Sequence, residues 1–249
     1  MEIVLLTALG VGGATVIGAI IGFLTQKISH KFSDYVLGFA AGIMLCAAVV
    51  GLIMPSVEIG NVYATIVGVI IGAVVLNLID IFTPHLHNGL GGIEESHPKN
   101  NSRYGKILLF VLAIAIHNFP EGIAAGVGFG TGNNADAITI AIGIALQNIP
   151  EGMVIIAPMV AVGITKRKAL LIASLTGVIE VIGTLLGYFA VIISTAILPF
   201  ALAFAGGTML YIISDEMIPE THSHGNERGS TYAIIIGFCL MLLIDVLLG

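Results

Sequence analysis

Two hydrophobic stretches of the chain carry nearly the same polar hexapeptide. The first reads His-Asn-Phe-Pro-Glu-Gly over residues 117–122, and the second reads Gln-Asn-Ile-Pro-Glu-Gly over residues 147–152. They lie within the apolar segments 108–129 and 137–160. A charged side chain at the centre of a bilayer costs roughly 2.5–3.5 kcal/mol on insertion scales. Because several polar groups recur here in the same order, the pattern indicates a functional site.

The spacing of these polar residues determines which of them can act together. In a helix, residues four apart share one face and lie about 6 Å apart along the axis. This pairs His117 with Glu121 and Gln147 with Glu151, while one asparagine in each copy flanks the same face. Carboxylate and imidazole suit Zn²⁺, Fe²⁺ and Mn²⁺; for any single residue, a hydrogen bond between helices is the alternative. The predicted metal site comprises His117, Asn118, Glu121, Gln147, Asn148 and Glu151.

Pro120 and Pro150 lie inside the same two hexapeptides. A proline within a helix removes one backbone donor and clashes with the carbonyl four residues earlier. We therefore predict that both helices kink at their polar turns. Irregular backbone at membrane depth is tolerated where it is buried in protein or lines a watery cavity, which favours a polar cavity between the two helices.

Other polar and sulfur-containing residues in apolar runs are weaker candidates. Glu180 lies near the middle of one run, and a buried carboxylate must be protonated, paired or metal-bound; we favour metal binding. Met44 offers a soft thioether, although packing is the commoner role of such a methionine. Asp215 and Glu216 could line a cytoplasmic exit or simply lie at the membrane interface.

Composition defines the class of protein. The 249 residues are 57% hydrophobic and only 10% charged, whereas soluble domains are about 25% charged. The apolar runs approach 20 residues, which predicts membrane-spanning helices rather than barrel strands. Nine basic residues form no patch, so nucleic-acid binding is unsupported. Cys46 and Cys239 both fall in apolar runs and suggest neither a disulfide framework nor a cysteine-rich metal site.

The apolar runs predict a single domain, 1–249, with eight spans and a loop at 84–103. All nine Lys and Arg residues then fall in loops on one side of the membrane. The positive-inside rule places these loops in the cytoplasm and both termini outside, and the first run reads as a span rather than a cleaved signal peptide. The predicted spans are 3–25, 34–54, 60–83, 108–129, 137–160, 169–193, 198–218 and 230–248.

A second internal repeat relates the second and seventh spans. Residues 38–45 read Gly-Phe-Ala-Ala-Gly-Ile-Met-Leu, and residues 203–210 read Ala-Phe-Ala-Gly-Gly-Thr-Met-Leu. The second span is expected to end at Met54-Pro55, and the seventh to end before Pro219. On the predicted topology the two copies are antiparallel, and inverted repeats are typical of transporters. The alternative is a chance likeness between two runs of small residues.

Histidines and acids near span ends form a third group. Pairs of neighbouring histidines can hold a divalent ion weakly, and an ordinary solvated loop is the alternative. Three aspartates lie near span ends, and we expect their side chains to be exposed to water there. The residues are His85, His87, His97, His222 and His224, and then Asp34, Asp80 and Asp245.

The two hexapeptides, the eight spans and the histidine-bearing loops resemble the ZIP (Zrt/Irt-like) family of divalent metal transporters, and Gln147 is similar to its prokaryotic GufA-like branch. The resemblance covers essentially the whole chain. It implies an all-α integral membrane fold with inverted repeats (3+2+3), a homodimer, and a cytoplasmic-side site near Asp215 and Glu216. It also implies two metal sites bridged by Glu121 and Glu151. One would use His117, Glu121, Gln147, Glu151 and Met44; the other would use Asn118, Asn148 and Glu180.

The predicted function is therefore transport of Zn²⁺, or of Fe²⁺, Mn²⁺, Co²⁺ or Cd²⁺, toward the cytoplasm. Up to two ions bind as substrate, and no catalytic cofactor is expected. The predicted location is the plasma membrane, that is, the inner membrane if the source is a Gram-negative bacterium. Two alternatives are a membrane metal sensor or scaffold without flux, and an intramembrane metal-dependent hydrolase. The hydrolase would be expected to carry His-Glu-x-x-His, which the sequence lacks.

Overall fold

The computed structural model describes residues 1–25, 28–82, 103–161 and 163–248, which form helices with no strand among them. In the helix Arg103–Gly128, side chains are described from Ile116 onward. The α-helices are α1 Glu2–Leu24, α2 His30–Cys46, α3 Met54–Ile59, α4 Val62–Phe82, α5 Arg103–Gly128, α6 Asn134–Ala161, α7 Lys166–Ile193, α8 Leu198–Ile212, α9 Ile218–Thr221 and α10 Glu227–Leu248. Two π-helical segments, Ala47–Ile53 and Ile213–Met217, and two 3₁₀ turns, Phe129–Thr131 and Thr195–Ile197, complete them.

The described helices confirm a multi-pass membrane protein. Seven helical stretches in the described residues are long and apolar enough to cross a bilayer. The predicted fourth span corresponds to α5, which is 26 residues long. Large apolar side chains cover the outer faces of these helices, as expected for contact with lipid. Most of the predicted loop 84–103 lies outside the described residues, together with His85, His87 and His97.

The π-helical backbone of the described residues lies outside the two hexapeptides. Helices α5 and α6 run without interruption through Pro120 and Pro150. The π-helical segments lie instead just before Pro55 and Pro219. There the N–H of Met54 bonds the carbonyl of Val49, five residues earlier, and a wider turn of this kind accommodates the missing donor of the next proline.

The two spans that contain these π-helical segments also extend beyond their predicted ends. Helix continues through Pro55 to Ile59 and through Pro219 to Thr221. Proline occupies the first turn of the helix that follows each π segment, where a missing N–H does little harm. The predicted ends at Met54-Pro55 and before Pro219 were therefore wrong.

Close helix pairs surround the centre of the bundle. Helix α5 packs along α7, α1 along α6, α2 along α10 and α4 along α8. A Cβ atom added at Gly126 of α5 would overlap the carbonyl oxygen of Thr184 of α7, so these backbones approach as only glycine allows. Helices α5 and α6 also contact each other. In addition, α5 contacts α8, and α6 contacts α2. This arrangement brings both hexapeptides into the interior.

Candidate metal centre

Polar side chains of the two hexapeptides are buried where α5 and α6 meet. Asn118 and Glu121 of α5 and Gln147 and Asn148 of α6 are all buried, and Glu151 is half-buried. Helical spacing alone explains why each set shares a face. Glu121 lies within electrostatic range of Glu151 and Glu180, and its carboxylate is beside the Gln147 amide. The fold therefore brings these side chains close together, and their role as metal ligands stays a prediction.

Glu180 of α7 is the most completely hydrogen-bonded member of the centre. Its side chain is 0% exposed. Its Oε1 accepts from Thr15 Oγ1 at 2.6 Å and from Asn118 Nδ2. Its Oε2 accepts from Asn148 Nδ2 at 2.6 Å. One carboxylate thus connects α1, α5, α6 and α7 through hydrogen bonds, and metal binding by Glu180 stays a prediction.

Several other polar atoms of the centre are buried without a hydrogen-bond partner among the described residues. They come from two carboxylates and two amides that lie in or beside the hexapeptide turns, and they are Glu121 Oε2, Glu151 Oε1, Asn148 Oδ1 and both amide atoms of Gln147. Buried polar atoms in native proteins nearly always have partners, so such a set requires an explanation. Carboxylate and amide oxygens are suitable ligands for a hard or borderline divalent cation.

The His117 imidazole is bound to a carboxylate that the sequence places near the cytoplasmic exit. His117 Nε2 lies 2.7 Å from Glu216 Oε1, and the two side chains are 22% and 13% exposed. Glu216 belongs to the π-helical segment Ile213–Met217, whose wider turn changes which residues face α5. Asp215, its neighbour, is exposed. Glu216 is thus the predicted exit residue that contacts a hexapeptide, through its bond to His117.

Met44 is the last predicted ligand, and an ion in this centre would need ligands other than His, Cys, Asp and Glu alone. Met44 is fully buried in the main hydrophobic core, which also contacts Ile116 and Leu146, the residues just before the two hexapeptides. Among the described residues, no three side chains drawn from His, Cys, Asp and Glu lie close enough together to hold one ion. An ion bound here would therefore also need the amide oxygens or the thioether.

The histidines after the seventh span are held by other residues. His224 Nδ1 lies 3.0 Å from Asp34 Oδ1, and Asn226 Nδ2 donates to Asp34 Oδ2 at 2.8 Å. His222 Nε2 lies 3.1 Å from Thr231 Oγ1. The expectation that Asp34 is solvated was wrong: it is 2% exposed, because the turn before α10 folds over the start of α2. Asp245 is half-buried, and the Asp80 side chain is outside the described part of the chain.

Sequence reasoning missed Thr15, which is the contribution of α1 to the centre. Thr15 lies among the glycines of the first span, with Gly12, Gly18 and Gly22 at helical spacing around it. All four residues are buried. A single polar residue on a small-residue face is the signal that could have identified it.

A helical, multi-pass membrane protein with buried carboxylates, amides and an imidazole at its centre belongs to the class of membrane transporters for cations. The sequence profile of the ZIP zinc transporter family matches residues 83–245. Zinc transporter GufA of Myxococcus xanthus is 37% identical over 98% of both chains. Zinc transporter ZIPB of Bordetella bronchiseptica is 36% identical over 95% of this chain and 78% of its own. Zinc transporter ZupT of Chlorobaculum parvum is 36% identical over 95% and 94%.

The chain belongs to the ZIP family, in its GufA-like branch. This confirms the predicted family. Its relatives are named as transporters, so the hydrolase alternative is set aside and the chain is a divalent metal transporter rather than an enzyme.

Proposed function

We propose that this protein carries Zn²⁺ across the plasma membrane toward the cytoplasm, and that Fe²⁺, Mn²⁺, Co²⁺ and Cd²⁺ compete for the same centre. The observation that carries the proposal is the set of buried, unpartnered atoms on Glu121, Gln147, Asn148 and Glu151. In an apolar bundle, an incoming divalent cation supplies the oxygens of this set with a partner and offsets the repulsion between the neighbouring carboxylates, whereas the Gln147 amide nitrogen is a donor and does not bind it.

Two ions are proposed to bind side by side. His117, Glu121, Gln147, Glu151 and Met44 would hold one, and Asn118, Asn148 and Glu180 the other, with Glu121 and Glu151 shared. Each site needs its His and Glu side chains to move closer together when the ion binds, because no three of them lie close enough to hold one ion in the described structure. Support comes from the electrostatic proximity of Glu121 to both Glu151 and Glu180. The ligating carboxylates must be ionised and His117 neutral, so loading releases any protons these groups carry.

Glu216 is proposed to receive the ion on its way to the cytoplasm. His117 cannot use Nε2 for a metal while that atom is bonded to Glu216 Oε1. Loading therefore exchanges one partner of His117 for another, and re-forming the pair favours release. Asp215, His222 and His224 would line the remaining path to the cytoplasm, where the exposed Asp215 is accessible to water.

The proposed architecture is a single domain, 1–249, of eight spans in an inverted 3+2+3 repeat. Both termini would lie outside, and the loop 84–103 in the cytoplasm. The packing of α1 on α6 matches that of α7 on α5, and α2 on α10 matches α8 on α4, which supports this symmetry. The π-helical segments lie at corresponding places in the two copies. A homodimer and a plasma-membrane location, the inner membrane if the source is a Gram-negative bacterium, complete the proposal.

Uptake of radiolabelled Zn²⁺ into proteoliposomes tests the function. Wild-type protein is expected to transport, whereas Glu121→Ala and Glu151→Ala each abolish uptake while still inserting in the membrane, because each removes a shared ligand. The matched control is Glu227→Gln. It removes an exposed carboxylate at the start of α10, and the variant should transport normally. Normal uptake by either alanine variant would refute the proposed centre. Wild-type protein that binds Zn²⁺ without flux would instead indicate the sensor or scaffold.

A further inference from the structure

The Thr15 side chain joins α1 to the polar centre. Its Oγ1 donates a hydrogen bond of 2.6 Å to Glu180 Oε1, and both side chains are buried. Nearby on the same helix, the carbonyl oxygen of Val11 accepts from Asn148 Nδ2 at 3.3 Å. Helix α1 therefore provides a partner for two residues of the centre, although no ligand was predicted on it.

Close backbone packing on both sides fixes where the Thr15 hydroxyl lies. A Cβ atom at Gly12 would overlap the carbonyl oxygen of Gly177 on α7. A Cβ atom at Gly152 of α6 would overlap the carbonyl oxygen of Thr15 itself. Helix α1 is thus in backbone contact with the helix that carries Glu180 and with the helix that carries Asn148. A threonine side chain in a helix chooses between two main rotamers, and the hydrogen bond to Glu180 Oε1 corresponds to one defined position of its hydroxyl.

The orientation of Glu180 determines the orientation of two amides. A carboxylate only accepts hydrogen bonds, so Asn118 and Asn148 must both turn their NH₂ groups toward it. The other end of each amide, the oxygen, then points elsewhere, and Asn148 Oδ1 is buried without a partner among the described residues. Amide oxygen, not amide nitrogen, is the atom that binds a divalent cation.

We infer that Thr15 is a positioning residue for ion binding, because its hydroxyl holds Glu180 in the orientation that presents the Asn118 and Asn148 oxygens to the cation. This inference rests on the proposed function of the centre. Partners of metal ligands commonly change metal affinity or activity by about 10–100-fold. Thr15 should therefore affect the affinity for the ion more than the rate at saturation.

The test compares Zn²⁺ uptake by wild-type protein, Thr15→Val and Thr15→Ser. Valine keeps the shape but removes the donor, and should raise the KM for Zn²⁺ about tenfold with the maximal rate little changed. Serine restores the hydroxyl and should restore the KM. Thr176→Val is the matched control, since that buried hydroxyl bonds the Ala173 carbonyl of its own helix at 2.8 Å, and its KM should be unchanged.

A double-mutant cycle with Glu180→Gln separates positioning from general packing. If Thr15 acts through Glu180, Thr15→Val should have little further effect on the KM in the Glu180→Gln background. The inference is overturned by a wild-type KM for Thr15→Val, by an equal loss in both backgrounds, or by failure of serine to rescue. Should the valine variant not reach the membrane, Thr15→Cys, a weaker donor of similar size, replaces it in the same comparison.

The failure of the inference and the failure of the proposed function are distinguishable. Absence of Zn²⁺ flux in the wild type would contradict the function alone. Calorimetric titration of the purified proteins with Zn²⁺ then still compares Thr15→Val with wild type. Flux in the wild type with identical KM values in both proteins would contradict the role of Thr15 alone.

Discussion

Glu121 and Glu180 are both buried carboxylates in the same centre, yet their surroundings differ. Glu180 accepts hydrogen bonds from Thr15, Asn118 and Asn148, which come from three other helices. Glu121 has an oxygen without a partner among the described residues and lies near another carboxylate, Glu151. The carboxylate of Glu180 is held by three side-chain hydrogen bonds, whereas several polar atoms around Glu121 have no partner among the described residues. A transporter needs both, because ligands must be positioned and must also be available to the ion.

The largest expected difference between the two halves is in stability. Glu180→Ala leaves buried donors unsatisfied, which costs about 1–3 kcal/mol for each donor. Glu121→Ala removes a carboxylate that lies within electrostatic range of Glu151 and Glu180, so it should cost little or even stabilise the empty protein. We expect Glu180→Ala to lower the melting temperature in detergent by several degrees, and Glu121→Ala to leave it unchanged or raise it.

Melting curves recorded without metal, at one pH and in one detergent, provide the measurement. Glu180→Gln is the control, because its amide keeps one acceptor oxygen and should recover part of the loss. Equal melting temperatures for the two alanine variants would show that the contrast between the halves has no energetic consequence.

Much of this centre could be predicted from local sequence rules. Hydropathy and segment length determine the spans, because a bilayer admits few alternatives for long apolar runs. The period of the helix places His117 with Glu121 and Gln147 with Glu151 on shared faces. These inferences need no knowledge of which helices touch.

The features that were missed depend on tertiary contacts. The bond from Thr15 to Glu180 requires α1 to lie against α7, and residues 165 positions apart in the chain give no local signal of that contact. The pair of His117 and Glu216 follows from the π-helical segment, which shifts the face of the seventh span. Helices α5 and α6 continue as helices through Pro120 and Pro150, and the kinks expected there stay a prediction.

A substitution at Gln147 tests, through ion selectivity, whether the half of the centre around Glu121 binds the ion. Its side chain is buried on the unpartnered half, beside Glu121, and both amide atoms lack described partners. Gln147→His would replace a hard amide oxygen with an imidazole nitrogen, which suits Zn²⁺ better than Mn²⁺. We expect the preference for Zn²⁺ over Mn²⁺ in competition uptake to rise several-fold.

The control for this substitution is Gln147→Leu, which supplies no ligand atom and should weaken uptake of both ions. An unchanged Zn²⁺ to Mn²⁺ ratio in Gln147→His, with uptake retained, would place residue 147 outside the ligand set.

Met44 is expected to give the smallest effect, since a thioether is a weak ligand and its removal leaves the carboxylates in place. The side chain is fully buried, so a large-to-small change would mix ligand loss with cavity formation. Met44→Leu keeps the volume and removes only the sulfur. Uptake of Cd²⁺, a soft ion, should fall several-fold, whereas uptake of Mn²⁺ should hardly change.

Met209 supplies the matched control for this experiment. It occupies the position equivalent to Met44 in the second copy of the repeat and is also fully buried. Met209→Leu makes the same chemical change at a residue that is not among the proposed ligands, so it should leave the Cd²⁺ to Mn²⁺ ratio as it is. If both leucine variants change that ratio equally, or neither does, Met44 serves packing alone. The ligands are then confined to the carboxylates, amides and imidazole of the two hexapeptides and Glu180.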